Sequence, residues 1–254
     1  MNHTEALTTS DDYVCGVFKC EIKNRFLCQV NVAGSDVICY VPSSCRLSNF
    51  FDLTSKKVLL KPVKNKNAKT KYSVYAVEFN NSYILLNLSH LNRVIENHLN
   101  RRYFSFLGKR KTIIREAVID GYKSDLFIKD TNTIVEIKSI LSFDRDTIFP
   151  SMYSRRALKQ LGEIAELLKK GYKVCYIFVS LNSHVKSLTI DMKNTDYVDL
   201  FNKCIERGMV CYGFSLKFED KDPTIYSRLC VNLKPYDITN TSYSKHQNRA
   251  LDLQ

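Results

Sequence analysis

The sequence predicts a small β-barrel followed by an α/β domain built on a mixed sheet. Two observations carry this reading. Between residues 13 and about 84, short β-branched and aromatic runs recur at close spacing with turn residues between them. After that, one hairpin is followed in order by a helical pattern, an apolar strand, a second helical pattern and a second strand.

The first β-like runs are Val14–Phe18, Phe26–Val32 and Val37–Val41, with Ala33-Gly34-Ser35-Asp36 as a hairpin link. Val58–Leu60, Tyr72–Val77 and Tyr83–Leu86 follow, with Asn80-Asn81-Ser82 as another turn. Ser89 is placed to cap a helix carrying Leu91, Val94, Ile95 and Leu99 on one face. A second helix starts near Ser154, runs through Leu158, Leu161, Ala165 and Leu168, and stops at Gly171 as its C′ residue. The continuous apolar run from Val174 to Val179 fits a buried strand. A third helix at about 196–207 carries Tyr197, Phe201 and Cys204 on one side and ends at Gly208, and Val210–Leu216 is the next strand. The expected units are a barrel at 13–84, an α/β domain at 85–235, and a polar, frayed tail at 236–254.

With 254 residues, 44% hydrophobic and 25% charged, the chain is long enough for a real core and has ordinary globular composition. No apolar run is long enough to cross a bilayer and Met1–Ala6 lacks a signal-peptide pattern, so a cytoplasmic protein is expected. The nine cysteines are odd in number, dispersed and without a C-x-x-C pair. They read as reduced structural residues. The net charge of +12 is clustered. Lys56, Lys57, Lys61, Lys64, Lys66, Lys69 and Lys71 form one acid-free run. Arg101, Arg102, Lys109, Arg110, Lys111 and Arg115 form another, interleaved with Tyr103, Phe104 and Phe106. Basic runs with aromatics suit nucleic acid, through counterion release and stacking. A merely solvated basic surface is the alternative, and neither run has the broad apolar face that a membrane surface requires.

The chemistry concentrates in Tyr122–Ile128 and Ile134–Ser139, two strand-like runs joined by Lys129-Asp130-Thr131-Asn132. If Asp130 and Thr131 are the central turn residues, antiparallel counting sets Asp125 opposite Glu136, with Cβ atoms roughly 4.5–5.5 Å apart. Lys138 shares the face of Glu136, while Leu126, Ile128, Val135 and Ile137 point the other way. Facing carboxylates repel, and a divalent cation between them removes the repulsion. Mg²⁺ suits such a place because it is held by one or two carboxylates and keeps several waters. The alternative is an amphipathic hairpin whose wet face happens to be charged. A one-residue slip in register would turn Asp125 away.

Beyond these residues, the chain resembles the sugar fermentation stimulation protein (SfsA) family from about Arg25 to Leu216. Arg25-Phe26-Leu27 is similar to its Arg-Phe-Leu opening, and Pro42-Ser43-Ser44-Cys45 to its proline-led loop. Lys69-Thr70-Lys71-Tyr72 and Asn87-Leu88-Ser89-His90-Leu91-Asn92 resemble two further segments. Tyr122-Lys123-Ser124-Asp125-Leu126 then resembles Ser-Arg-x-Asp-Phe, and Glu136-Ile137-Lys138 resembles Glu-Val-Lys. Phe149-Pro150-Ser151-Met152, Arg156-Ala157 and Lys159-Gln160-Leu161 follow in collinear order.

That resemblance implies an OB-like barrel joined to a PD-(D/E)XK restriction-endonuclease-like domain, and a DNA-binding, metal-dependent DNA/RNA nuclease. It assigns Mg²⁺ or Mn²⁺ to Asp125 and Glu136 and the catalytic lysine to Lys138, with Glu96 as a further metal ligand and Glu116 competing for that role. Lys64, Lys66, Lys69, Lys71, Arg110, Lys111, Lys123, Arg156 and Lys159 are the expected nucleic-acid contacts. The departures are Lys123 for Arg, Ser151 for Asp, Gln160 for His, and the altered proline-led loop. The altered loop and Ser151 favour a second reading, a non-catalytic DNA-binding module with a nuclease-like fold that regulates sugar-utilisation genes. The intact Asp125, Glu136 and Lys138 favour the enzyme. A purely structural interaction protein explains neither the charge nor the paired acids.

Overall fold

A computed structural model describes residues 13–22, 26–43, 46–50, 52–65, 67–86, 88, 91–219 and 222–233. Its first sheet comprises β1 (Val14–Glu21), β2 (Leu27–Val32), β3 (Ser35–Tyr40), β4 (Lys57–Pro62), β5 (Tyr72–Phe79) and β6 (Ser82–Leu85). The order is β3-β2-β1-β4-β5-β6, and β3 also pairs with β5, so five strands close into the expected OB-like barrel. Two tight turns fix the registers. Ala33 and Gly34 have φ of 50° and 87° between β2 and β3, and Asn80 and Asn81 have φ of 48° and 58° between β5 and β6. Positive φ at both central residues matches the twist of the flanking strands.

The helix α1 (Leu91–His98) follows, burying Leu91, Val94 and Ile95. The expected Ser89 cap, Lys66, and the segment from residue 234 onward lie outside the described residues. Next come β7 (Ile113–Arg115), β8 (Val118–Ile119), β9 (Tyr122–Lys123), β10 (Leu126–Ile128), β11 (Thr133–Ile140) and β12 (Asp146–Phe149). They are followed by α2 (Arg155–Lys169), β13 (Lys173–Ser180), β14 (Ser187–Ile190), α3 (Thr195–Glu206), β15 (Val210–Glu219), β16 (Asp222–Arg228) and β17 (Cys230–Asn232). The second sheet has the order β16-β15-β13-β11-β10-β7. Its central strands β11, β13 and β15 are parallel, while β10, β7 and β16 run antiparallel to their neighbours.

Side-chain alternation divides this sheet between two cores. Leu126, Ile128, Val135, Ile137, Cys175, Ile177, Val179, Phe214 and Leu216 join α1 and the barrel interior in one continuous apolar cluster. Phe127, Ile134, Val174, Tyr176, Phe178 and Cys211 face α2 and α3. Cys28, Cys39, Cys175, Cys204 and Cys211 are all buried, and burial pushes the Cys39 and Cys204 thiols up to about 11.

The helices match their sequence signals. Ser154 Oγ accepts from the Ala157 N–H at 3.2 Å to cap α2, and Gly171 takes φ 90° just after it. Two features differ from the sequence reading. The first half of the expected hairpin is split, because Tyr122–Lys123 pairs with Val118–Ile119 in a separate ribbon and only Leu126–Ile128 joins the main sheet. The three-stranded sheet β12-β14-β17 was not anticipated either. Its strands are too short for a periodic pattern to stand out.

Gly213 on β15 lies against the β17 approach, where an added Cβ would meet the Leu229 carbonyl oxygen at 2.7 Å and Val231 Cγ2 at 2.7 Å. Gly213→Ala is therefore expected to cost about 1–3 kcal/mol and lower the thermal midpoint by several degrees. An unchanged melting curve would show that the 229–231 segment moves away freely.

Candidate active site

The site forms where β10 peels away from β11. Their ladder runs Ile128↔Thr133, Phe127↔Ile134, Leu126↔Val135 and then stops. The expected register is present, but Asp125 sits one step past the last pair. The Ile137 N–H on β11 thereby loses a β10 carbonyl partner, and Asp125 Oδ2 accepts it instead at 2.8 Å. Asn92 Nδ2 on α1 donates to Asp125 Oδ1 at 3.0 Å. The main chain here is pinned from outside. The Glu116 N–H donates to the Asp125 carbonyl at 3.0 Å, and both the N–H and the hydroxyl of buried Ser124 donate to the Ala117 carbonyl.

Glu136 is 2% exposed, so its carboxylate must be satisfied by the protein. The phenol of Tyr122 donates to its Oε2 at 2.5 Å. Its Oε1 accepts from Lys138 Nζ at 2.7 Å and from Gln160 Nε2 at 3.2 Å. Gln160 also accepts from Lys138 Nζ at 2.8 Å, and the ammonium lies 5.6 Å from the centre of the Tyr176 ring. Burial and the Glu136 charge push the Asp125 carboxyl above its ordinary range, against the Ile137 N–H, Lys138 and Asn92, which pull it down. Burial and the adjacent Glu136 also raise the Tyr122 phenol, which keeps it a proton donor at neutral pH.

Glu96, expected as a further metal ligand, is engaged elsewhere. It pairs with Arg115 on β7, which the sheet register sets beside Leu126. Among the described residues no three Asp, Glu, His or Cys side chains gather as a metal cluster. Asn92, one helical turn before Glu96 on α1, is the residue that reaches Asp125. Glu116, the competing acid, is exposed and pairs with Lys123 at 2.7 Å. The remaining donor set still fits a hard cation. A carboxylate has about four lone-pair positions, and the contacts above leave places on both Asp125 and Glu136. Mg²⁺ commonly takes one or two carboxylates and completes its shell with water.

The expected nucleic-acid contacts divide. Lys64, Lys69 and Lys71 are exposed in the β4–β5 connection and form no ion pair among the described residues. Lys111 and Arg156 are likewise exposed. Lys123 is tied to Glu116, and Lys159 lies 3.8 Å from Glu163. Arg110 is turned inward. Its Nε donates to the Leu99 carbonyl at 2.7 Å and a terminal nitrogen donates to the Gly108 carbonyl, so it braces the segment after α1.

Sequence reasoning gave no role to Tyr122, Asn92 or Gln160 in holding the carboxylates and the lysine. Their signal was positional only. Tyr122 and Asn92 fall inside matched segments, and Gln160 replaces a family histidine.

Known proteins agree with this architecture. The family description "SfsA N-terminal OB domain" matches residues 22–86, and "Sugar fermentation stimulation protein RE domain" matches residues 89–222. The sugar fermentation stimulation protein homolog of Clostridium kluyveri is 29% identical over 167 residues, covering 64% of this chain and 72% of that protein. The homolog of Natranaerobius thermophilus is 24% identical over 241 residues, covering 87% of this chain and 95% of its own. A solved structure of Pyrococcus furiosus SfsA in complex with Ca²⁺ superposes with a TM-score of 0.76 at 17% identity, over 89% of this chain and 98% of that one. With both domains matched in order, this chain belongs to the sugar fermentation stimulation protein (SfsA) family.

Proposed function

We propose that this protein is a DNA-binding, divalent-metal-dependent nuclease that hydrolyses phosphodiesters. One observation carries the reading: Asp125, buried Glu136 and Lys138 are held together at a sheet fork by partners that leave carboxylate lone pairs open. Asp125 and Glu136 would hold Mg²⁺ or Mn²⁺. The Ca²⁺ named for the Pyrococcus furiosus structure is likewise a hard cation that takes oxygen ligands. Such a cation, when bound, supplies Lewis-acid stabilisation of the charge that develops on a reacting phosphate. The chain's own groups do the rest. Asn92 and the Ile137 N–H orient Asp125, Tyr122 orients Glu136, and Lys138 sets a compact positive charge beside the carboxylates, where it offsets developing negative charge. The OB-like barrel and its exposed lysine loop supply backbone affinity.

A second reading, a nuclease-like module that binds DNA without cutting it, is favoured by one contact. Lys138 is tied to both Glu136 and Gln160. An ammonium so engaged keeps only one of its three N–H donors for a phosphate.

Lys138→Ala is expected to lower cleavage by on the order of 10²–10³ while DNA affinity stays within about twofold, since one lysine is a small share of the phosphate contacts. Cleavage of single- and double-stranded substrates with Mg²⁺, Mn²⁺ or EDTA measures this. A wild type that cuts none of them leaves the binding module standing.

Mg²⁺ is expected to raise the thermal midpoint by mass action, and the gain should vanish in Asp125→Ala. Because the Asp125 carboxyl titrates above its ordinary range, protons should compete with the metal at higher pH than at an ordinary aspartate. In the metal-free protein the sign reverses, and this group's contribution to stability is gained as pH falls through its raised pKa. A metal-induced shift that survives in Asp125→Ala would remove this carboxylate from the ligand set.

Replacing Lys64, Lys69 and Lys71 together by Gln should weaken DNA binding uniformly across sequences. If all three contact phosphates, the slope of log affinity against log salt should fall by about 2–3. An unchanged slope would move the binding face off the β4–β5 loop.

A further inference from the structure

Beside the helix that carries Gln160 lies a cavity of about 350 Å³ with the features of a nucleobase site. Its walls include Pro150, Met152, Tyr153, Asp191, Lys193 and Asn194. Tyr153 is 60% exposed and Met152 47% exposed, an unusual display of apolar surface next to polar groups. Asn194 occupies the N-cap position of α3 but makes no capping hydrogen bond, so its amide is not spent on the helix. An amide can read a base edge, and the carboxylate of Asp191 can accept from an exocyclic amino group.

The position is informative. Tyr153 immediately precedes the Ser154 cap of α2, and Arg155 and Arg156 on the first turn are exposed. Arg156 is one turn before Gln160 on the same face of the helix, and Gln160 contacts both Glu136 and Lys138. From the cap to Gln160 is about 9 Å along the axis, some two to three base steps at about 3.4 Å each. A strand whose phosphate lies at the carboxylates and whose backbone passes Arg156 would bring a base against the Tyr153 ring.

We propose that this cavity receives an unpaired nucleobase stacked on Tyr153, so that the protein prefers single-stranded or frayed nucleic acid. The inference rests on the nucleic-acid reading above and adds a substrate class to it. A base inside a duplex has both faces covered and cannot stack on the ring without flipping, which costs a few kcal/mol. A single strand meets no such cost, and aromatic stacking recognises any base because each has a π-face.

The test is binding in EDTA, so that cleavage plays no part. Labelled single-stranded DNA, single-stranded RNA and the matching blunt DNA duplex are titrated against wild type, Tyr153→Ala and Tyr153→Phe by fluorescence anisotropy. Wild type should prefer the single strands. Tyr153→Ala should weaken single-strand binding by about tenfold or more, change duplex binding by less than about twofold, and leave the thermal midpoint unaltered. Tyr153→Phe should bind single strands as wild type does. The DNA and RNA arms show which single strand is held more tightly. A wild type that binds none of the three overturns the nucleic-acid reading and this inference with it. Wild-type binding that Tyr153→Ala leaves intact, or weakens equally on every substrate, overturns this inference alone and assigns the Met152–Tyr153 surface to a protein contact or to general charge.

Discussion

The geometry of the site depends on a single backbone hydrogen bond that β10 fails to make. A strand that ends at Leu126 leaves the Ile137 N–H of its neighbour without a carbonyl, in an interior where an unpaired donor costs about 1–3 kcal/mol. The Asp125 carboxylate fills that vacancy. The side chain is thus drawn toward the sheet its chain is about to enter, and toward the charge of Glu136, which helps raise its proton affinity. Local repulsion is tolerated because the alternative is an orphaned amide. The carboxylate pair created in this way is the donor set on which the proposed cation site rests.

Every group around the pair serves the same end from a different element. Asn92 comes from α1, Tyr122 from the short β8–β9 ribbon, Gln160 from α2, and Lys138 from β11 itself. Positive φ at Glu116 and Asp120 lets the chain turn sharply enough to deliver Tyr122 and Ser124 beside the fork. Exposed Glu116 serves through its N–H, which donates to the Asp125 carbonyl. The split of the expected long strand into β9 and β10 is what frees Asp125 from the ladder.

Much of this was legible in the residues. The apolar runs gave the barrel strands and the three helices, because alternation and helical periods are set by burial. The turn Lys129–Asn132 gave the register of β10 and β11, although it folds as a short 3-10 turn with Asn132 left-handed at φ 54°. That register alone sets Asp125, Glu136 and Lys138 close together. Side-chain partners were not legible. A glutamate on the right helix looked like a ligand, yet Arg115 on a neighbouring strand claims it, and only the sheet order reveals that proximity. Arg110 looked like a phosphate contact but braces carbonyls, since a run of like charges does not say which members turn inward. The β12-β14-β17 sheet escaped notice because its strands come from distant parts of the chain.

The single apolar cluster that joins the barrel interior, α1 and one face of the second sheet has a mechanical consequence. Packing across this cluster couples the module with the lysine loop to the module with the carboxylates, so one cannot swing relative to the other without exposing a shared interior. If the lysine loop grips a nucleic-acid backbone as proposed, the molecule would work as a fixed gauge, with the span between that grip and the carboxylates set by packing. A sliding polymer would be held at a constant offset from the point of grip, wherever along its length the grip falls.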